Sequence, residues 1–350
     1  MRPERLLIAV AGQHLIPALL ASAVLGAALA LLFGPGRVRR PADRVLFLQV
    51  ALAKVVLALW VGEKVPYLLS HHPARAYYGF TLPSLVPDRI AFEPSRLAVV
   101  PANSPLAGRV FIVLLAVGAA LLCYRWLRLA PLYRRVYESR RVGADDVPEA
   151  FEQFAALVSK IRRHVGLLPR PSLMVIRRAP CPAFTMGLLR PVVVVAAELV
   201  EQLGPRELRG ILAHELAHVG RFDYLGRWFA AILRDLLVWN PLAWIWYEQL
   251  VAEQERACDE LGARLLGDGG AVASGLVETA AFANRLPVVS IGPLAAWRQG
   301  RDSRQLVARL DALEAVSSDP WPTRSPRAFL CYPLLALFML AQPHIALPMP

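Results

Sequence analysis

The most informative residues of this sequence are His214, Glu215 and His218, which stand in the order His-Glu-Leu-Ala-His. Side chains four positions apart on an α-helix lie nearly above one another, so both imidazoles can reach a single metal ion. Glu215 lies about a quarter-turn around the same helix, where it can hold a water molecule at the metal and take its proton. The pattern predicts a zinc site with hydrolytic chemistry. It also occurs by chance on amphipathic helices, but here Ala213 and Ala217 provide the small flanks of a buried helix.

A zinc site of this kind needs a third protein ligand and one open position. Glu255 is the best candidate, because it lies on a predicted helix four residues before Asp259 and the two carboxylates then share one face. We predict that Glu255 binds the metal and that Asp259 accepts a hydrogen bond from the second ring nitrogen of a ligand histidine. Glu253 and Glu260 compete for the role of third ligand, but they point to other sides of the helix.

These residues together predict a two-histidine, one-glutamate zinc hydrolase that cleaves peptide bonds. Zinc lowers the pKa of a bound water molecule from about 15.7 towards 7. Glu215 would accept the proton as the water attacks the peptide carbonyl, and would then pass it to the leaving amine. The β-branched run Val192–Ala196 is predicted to be a strand, and its edge could align a peptide substrate.

Charge and hydropathy favour a membrane protein over a nucleic-acid-binding protein. The chain has 350 residues, of which 56% are hydrophobic, and a formal net charge of +12. A strong positive charge can indicate nucleic-acid binding. The arginines, however, cluster beside apolar segments, at 37–44 and 125–141, which is the distribution described by the positive-inside rule. We therefore expect the lipid bilayer to be a partner, and we expect no direct nucleic-acid partner.

Four apolar segments are candidate membrane spans. They run from about 6 to 33, 45 to 61, 106 to 127 and 327 to 350. The first could instead be a signal peptide cleaved near Ala21–Ala23, but the apolar run continues for about ten further residues, which favours an uncleaved anchor. Lys54 lies inside the second segment and should face protein or water rather than lipid.

The candidate spans divide the chain into three parts. Residues 1–141 would hold three transmembrane helices with an external loop at 62–105, residues 142–326 a cytoplasmic zinc peptidase domain, and residues 327–350 the fourth transmembrane helix. The arginine clusters predict a multi-pass membrane protein with its peptidase domain in the cytoplasm. Within that domain the sequence predicts helices at Pro148–Val165, Pro205–Arg221, Leu250–Leu266 and Ser303–Val316, interrupted apolar helices between Leu225 and Trp246, and strands at Leu173–Ile176 and Val192–Ala196.

The motif residues stand in a context that resembles the BlaR/MecR-type antirepressor family of integral-membrane zinc metallopeptidases. The resemblance is carried by Gly210–His218, Asp223, Asn240–Pro241, Glu255–Glu260 and Pro182–Val195. It extends over about residues 145–315 by motif, and over the whole chain by the layout of the apolar segments.

The resemblance implies both a fold and a set of roles. The implied fold class is a membrane α-helical protein, with about four transmembrane helices, that carries a cytoplasmic α+β, gluzincin-like zinc peptidase domain. The implied zinc ligands are His214, His218 and Glu255, with Glu215 as the base. Asp223 is expected to support a ligand histidine from outside the ligand set.

The resemblance also implies partners. They are a protein or peptide substrate, such as a transcriptional repressor, and the lipid bilayer. A homodimer is left open, because the sequence does not determine the oligomeric state. Family members that sense β-lactams carry an extracellular penicillin-binding domain after the last span. The 350 residues contain no such domain, so the sequence supports neither β-lactam sensing nor a specific repressor substrate.

Other functions fit parts of the pattern. The chain could be a signal transducer or scaffold with a silent or structural zinc site, or a membrane quality-control zinc peptidase, which shares the H-E-x-x-H and E-x-x-x-D motifs. A transport protein has only Lys54 in its favour. Because the residues needed for the chemistry are present, we favour an active endopeptidase that cleaves a cytoplasmic regulator or a membrane-proximal protein in signalling. The four cysteines show no paired spacing and are expected to be isolated, buried thiols.

Overall fold

The computed structural model describes ten stretches of the chain, and the fold is built from these. The described residues are 22–23, 25–34, 38, 40–61, 77–81, 105–165, 170–187, 190–285, 304–314 and 342–346. The helices are α1 (25–33), α2 (Pro41–Val61), α3 (Pro105–Glu138), α4 (Pro148–Val165), α5 (Ala197–Val200), α6 (Pro205–Gly220), α7 (Asp223–Leu236), α8 (Pro241–Leu266), α9 (Gly269–Arg285) and α10 (304–314). The strands are β1 (Tyr77–Thr81), β2 (Arg141–Val142), β3 (Ser172–Ile176), β4 (Ala183–Met186), β5 (Val192–Ala196) and β6 (Gln342–Ala346).

The chain forms two compact units. The first consists of residues Met1–Arg125, Phe229–Leu250 and Arg324–Pro350, and the second of Trp126–Trp228 and Val251–Thr323. In the first unit, Leu48, Leu52 and Val55 of α2 are fully buried and share one apolar core with residues of α1, α7 and α8. Lys54 is also buried, at 2% exposure, as predicted for a side chain that faces protein.

The first unit also contains a buried ion pair. The Asp235 carboxylate, which is fully buried, accepts hydrogen bonds from Arg234 and Arg125 at 2.7 Å each. The Arg234 guanidinium in turn lies over the rings of Trp244 and Tyr247, at 4.6 and 4.0 Å from their centroids. A buried carboxylate needs such partners because removing its charge from water is costly. This cluster therefore joins α3, α7 and α8 within the unit.

The second unit is built around a four-stranded mixed sheet and helix α6. The strand order is β2-β3-β5-β4, with β3 parallel to β5 and β4 antiparallel to it. Helix α6 begins at Pro205, which suits the first turn of a helix because that position needs no backbone N–H donor. Its residues from Gly210 to Gly220 are all buried, and it packs against α4, α9 and β4. The sheet and these helices share one apolar core.

The fold class predicted from the sequence is wrong for the described residues. Among them, no helix combines the length and the apolar character that crossing a membrane requires. A membrane span needs about 20 apolar residues. Lys54 interrupts the apolar run of α2, and in α3 only fifteen residues separate Arg109 from Arg125. Most of the first and fourth candidate segments lies outside the described residues, and the described part of the fourth, Gln342–Ala346, is a strand. The described chain is mainly helical with a small mixed sheet.

Several predicted elements match the structure, and two differ from it. Helix α4 and strand β5 have the predicted bounds, and α6 and α10 agree within a few residues. Leu250–Leu266, predicted as a separate helix, is the second half of α8, which begins at Pro241. Val192–Ala196 was expected to offer an edge for a peptide, but this strand pairs with β3 on one side and β4 on the other. Because both edges of β5 are hydrogen-bonded, the strand beside α6 with an edge unpaired among the described residues is β4.

Candidate metal centre

The two histidines of the motif lie on the buried face of α6. His214 and His218 are 6% and 9% exposed, and their rings are perpendicular with centroids 4.9 Å apart. The helix is buried on nearly every side, so the pair is held by packing as well as by the helical spacing. This arrangement directs both imidazoles into one small region.

Helix α8 brings a carboxylate to the same region. Glu255 Oε2 lies 3.4 Å from His214 Nε2, and Glu255 Oε1 lies 3.7 Å from His218 Nε2. Zinc ligands at about 2.0–2.2 Å in a tetrahedral arrangement are about 3.3–3.6 Å from one another, so these separations fit a shared ion. The competing carboxylates are engaged elsewhere on the same helix, since Glu253 pairs with Arg256 and Glu260 with Arg264.

The donor set fits a metal ion in its chemistry as well. One atom each from His214, His218 and Glu255 lies within 4.8 Å of the others, so these three residues could hold an ion together. Burial alone would lower the pKa of His214, but the carboxylates of Asp259 and Glu255 raise it to about 10. Surroundings that favour a positive charge on an imidazole also favour a divalent cation between the same donors.

Asp259 lies behind His214. Its Oδ1 is 2.8 Å from His214 Nδ1, the ring nitrogen that faces away from Glu255. Arg309 of α10 donates to both oxygens of Asp259, at 2.6 and 2.8 Å, and approaches Glu255 Oε2 at 3.5 Å. Burial would raise the pKa of Asp259, but Arg309 and His214 lower it. The carboxylate is therefore ionised and can orient the His214 ring.

Asp223 lies behind His218 in a similar way. A turn at Arg221 and Phe222 ends α6, and Phe222 takes a left-handed backbone conformation with a φ of 56°. The next helix can therefore start immediately, which places Asp223 Oδ2 3.4 Å from His218 Nδ1. Arg221 donates to the same oxygen at 2.9 Å. Burial would raise the pKa of Asp223, but His218 and Arg221 lower it.

Cys258 completes the contacts around His218. Its buried thiol donates to Asp223 Oδ2 at 3.0 Å and lies 3.2 Å from His218 Nδ1. His218, Asp223 and Cys258 are also close enough to hold an ion. Burial and the Asp223 charge, however, raise the pKa of this thiol well above its usual value, whereas a metal takes the thiolate. These three residues fit a support for His218 better than a second metal site.

Glu215 lies at the junction of α6 and strand β4. The residue is 8% exposed, and its Oε2 accepts a hydrogen bond of 2.9 Å from the Thr185 hydroxyl. Cys181, in the loop before β4, is close enough to this carboxylate for its charge to act on the thiol: partial shielding from water and the Glu215 charge together raise the pKa of the thiol. The catalytic carboxylate predicted from the sequence is therefore beside the strand that has an unpaired edge among the described residues.

The structure brings all six predicted site residues together, and it adds others. Thr185, Arg227, Cys258 and Arg309 had no predicted role, although Arg227 donates to Glu255 Oε1 at 2.7 Å. Thr185 and Cys258 lie inside the segments that carried the family resemblance, so proximity to the motifs was a usable signal. Arginines are too common in this chain for type alone to identify the other two. The expectation of buried thiols is confirmed for Cys258 and wrong for Cys123 and Cys181, which are exposed, while Cys331 lies outside the described residues.

Comparison with known proteins identifies similar sequences over this region. The family described as BlaR1 peptidase M56 matches residues 50–266, which is more than half of the chain. A protein named protease HtpX homolog, from Gemmatimonas aurantiaca, is 26% identical over 221 residues, covering 54% of this chain and 76% of that protein. A second protein of that name, from Ralstonia pickettii, is 33% identical over 121 residues, covering 34% of this chain and 40% of its own length.

A regulatory protein is also similar over a shorter stretch. The protein named regulatory protein BlaR1, from Bacillus licheniformis, is 31% identical over 75 residues. The match covers 21% of this chain but only 12% of that protein. The similarity to the regulatory protein is therefore confined to a small part of its length.

Proposed function

Because the chain belongs to the BlaR1 peptidase M56 family, which confirms the resemblance drawn from the sequence, we propose that it is a zinc-dependent endopeptidase. One observation carries the proposal. His214 and His218 of α6 and Glu255 of α8 place three donor atoms within 4.8 Å of one another, and Glu215 lies next to them on α6. Two imidazoles, one carboxylate and a separate glutamate are what a catalytic zinc site with an open position requires.

The roles of the side chains follow from their positions. Zinc, when bound, would supply a Lewis acid and lower the pKa of a water molecule. Glu215 takes the proton of the attacking water and returns it to the leaving amine, so that the peptide bond breaks with the addition of one water molecule. Asp259 and Asp223 lie 2.8 and 3.4 Å from the Nδ1 atoms of the two imidazoles and would keep each Nε2 directed at a bound ion.

We propose that the peptide substrate pairs with strand β4. This strand is hydrogen-bonded to β5 on one side, and no described residue pairs with its other edge. Thr185 of β4 contacts Glu215, so a peptide added along this edge would run beside the proposed base. Strand addition is a common way of holding an extended peptide, because the main-chain hydrogen bonds do not depend on the peptide's sequence.

The test of the proposed function compares wild-type protein with Glu215→Gln. Bound zinc per chain and cleavage of β-casein are measured for both, with Glu207→Gln, in the first turn of the same helix, as a control. We expect equal zinc in all three proteins and cleavage by all except Glu215→Gln, with a loss of at least about a hundredfold in rate. Zinc without cleavage in any protein would favour the transducer or scaffold alternative. Absence of zinc from the wild type would refute the metal site itself.

Substrate, partners and location are further proposals that rest on family membership. We propose that the substrate is a regulator, such as a transcriptional repressor, or a membrane-proximal protein, and that the chain acts as a homodimer.

We also propose that the enzyme works at the bacterial cytoplasmic membrane with its catalytic residues on the cytoplasmic side. Exposed apolar residues of α3, among them Ile112, Val113 and Val117, support contact with lipid. To test the location, cells are separated into membrane and soluble fractions, and the membranes are then washed with alkaline carbonate. Recovery of the protein in the soluble fraction before the wash would contradict the proposed location.

A further inference from the structure

The contact between Thr185 and Glu215 has a geometry that points to a role in catalysis. The Thr185 hydroxyl lies 2.9 Å from Glu215 Oε2 and 3.3 Å from the backbone carbonyl oxygen of the same residue. One hydroxyl on β4 therefore reaches both the side chain and the backbone of a single residue on α6. The two residues are 30 positions apart in the sequence, so the contact depends on the tertiary fold.

We propose that Thr185 is a positioning residue that orients the carboxylate of Glu215 for proton transfer. The inference rests on the proposed function, in which Glu215 is the base. By donating to Oε2, the hydroxyl fixes the rotation of the carboxylate and leaves Oε1 to accept the proton of the attacking water.

The strand holds the hydroxyl firmly in place. Thr185 pairs with Val193 of β5, and its neighbours Phe184 and Met186 pack into the apolar core of the second unit. Successive side chains of a strand point to opposite faces, so anchoring Phe184 and Met186 on one face directs Thr185 to the other. Threonine is also restricted about its first side-chain bond, which lowers the entropy cost of fixing the hydroxyl. A serine would make the same hydrogen bond with less rigidity.

The position of Thr185 links substrate binding to the base. If the peptide pairs with β4, the strand that carries the substrate also carries the donor to Glu215. The distance between the peptide and the carboxylate is then set by one strand and one hydrogen bond rather than by a flexible loop. Precise placement of a base relative to its substrate affects the rate of the chemical step more than binding.

The experiment compares Thr185→Val, Thr185→Ser and a control, Thr279→Val, in the full-length protein. Valine has nearly the shape of threonine without the donor, serine keeps the donor, and Thr279 makes an ordinary bond of 2.7 Å to the Gly275 carbonyl within α9. The measurements are kcat and KM on β-casein and zinc per chain. We expect Thr185→Val to lower kcat about tenfold with KM and zinc unchanged, which is the size of losing one hydrogen bond to a charged group. The kcat of Thr185→Ser should stay within about threefold of the wild-type value. The kcat of Thr279→Val should equal that of the wild type.

Two results would overturn the proposal. One is an unchanged kcat in Thr185→Val, and the other is an equal loss in Thr185→Ser, which would indicate a packing role. A wild type that binds zinc without cleaving would refute the proposed function, and a second readout then tests the contact by itself. In a double-mutant cycle of Thr185→Val with Glu215→Ala, which removes the acceptor, the shifts in the midpoint of thermal unfolding should not add if the two side chains interact. Additive shifts would refute the interaction whatever the activity.

Discussion

Arg309 is the side chain that connects the two carboxylates on α8 to a third helix. It binds both oxygens of Asp259 and approaches Glu255, and its own side chain is 16% exposed. Without it, Asp259 would be a buried carboxylate with His214 as its remaining close ion-pair partner among the described residues, and its hold on that ring would weaken. The arginine therefore acts on the proposed metal site through Asp259, without being a ligand.

We predict that Arg309→Met lowers zinc affinity by about 10- to 100-fold, because residues that orient a metal ligand have effects of this size. The zinc affinity of Arg309→Lys should lie between those of the wild type and Arg309→Met, since lysine keeps the charge but cannot bind both carboxylate oxygens in a planar fork. Competition with a chromogenic chelator measures the affinity. Arg206→Met is the matched control, because Arg206 binds Asp268 with the same two-bond geometry on the exposed surface. Equal affinity in Arg309→Met and wild type would contradict the prediction.

Cys181 reports on the charge of Glu215. The thiol is exposed at the surface but partly shielded from water, and this shielding and the Glu215 charge raise its pKa, so less of it is thiolate at a given pH. We predict that Glu215→Gln lowers the pKa of Cys181 and speeds its alkylation by iodoacetamide at pH 8. The difference between the two proteins should shrink as the pH rises above the raised pKa, where both thiols are ionised. Mass spectrometry follows the reaction, and Cys123, which is exposed on α3, should react at the same rate in both.

The helices and strands of the second unit follow from local sequence more closely than the contacts between them. Pro148 and Pro205 begin helices, and the valine run makes β5, because proline geometry and β-branching act within a few residues. The pairing of β5 on both sides could not be predicted, since a continuous apolar run does not say which strands flank it. The same limit applies to the site. The spacing of the histidines is local, whereas the contacts of Thr185 and Arg309 join residues 30 and 50 positions apart.

The crossing of α6 and α9 depends on two glycines. A Cβ atom at Gly210 would overlap the carbonyl oxygen of Ala271, and one at Gly275 would lie 2.8 Å from the carbonyl oxygen of Glu207. Each helix can approach the other's carbonyl oxygen this closely only because the residue facing that oxygen is a glycine, which has no side chain. Because α6 carries both proposed ligand histidines, any shift of this helix changes the positions of their Nε2 atoms relative to Glu255.

We predict that Gly210→Ala destabilises the fold although alanine favours helix. The overlap should cost about 1–3 kcal/mol, which exceeds the gain of about 1 kcal/mol in helix propensity. Gly262→Ala, on α8, is the matched control, because its Cβ would meet only ordinary contacts of 3.4 Å or more with α6. The control should unfold at or above the wild-type temperature. A Gly210→Ala protein as stable as this control would show that the helices can separate without cost.

Only part of the chain is covered by the match to a known family. The family match ends at residue 266, which is the last residue of α8, so the six predicted site residues lie within it. Arg309 and helix α10 lie beyond it. The proposed catalytic residues thus lie in the region that a family of peptidases matches, whereas the side chain that binds Asp259 is identified by the structure of this chain.

The response of the whole protein to metal tests the site without reference to any substrate. A ligand that binds only the folded state stabilises it by RT ln(1 + [L]/Kd), which is about 2.7 kcal/mol at a concentration of 100 Kd. The proposed ligands come from α6 and α8, both of which contribute to the second unit, so an ion between them would resist separation of these helices.

We predict that zinc raises the midpoint of thermal unfolding of the wild type by several degrees and that a chelator reverses the rise. Glu255→Gln should lose most of this response, because an amide is a far poorer zinc ligand than a carboxylate. Glu260→Gln, five residues along the same helix and paired with Arg264, should keep it. A full response in Glu255→Gln would exclude this carboxylate as the third ligand, while no response in any protein would mean that the three donors do not bind zinc.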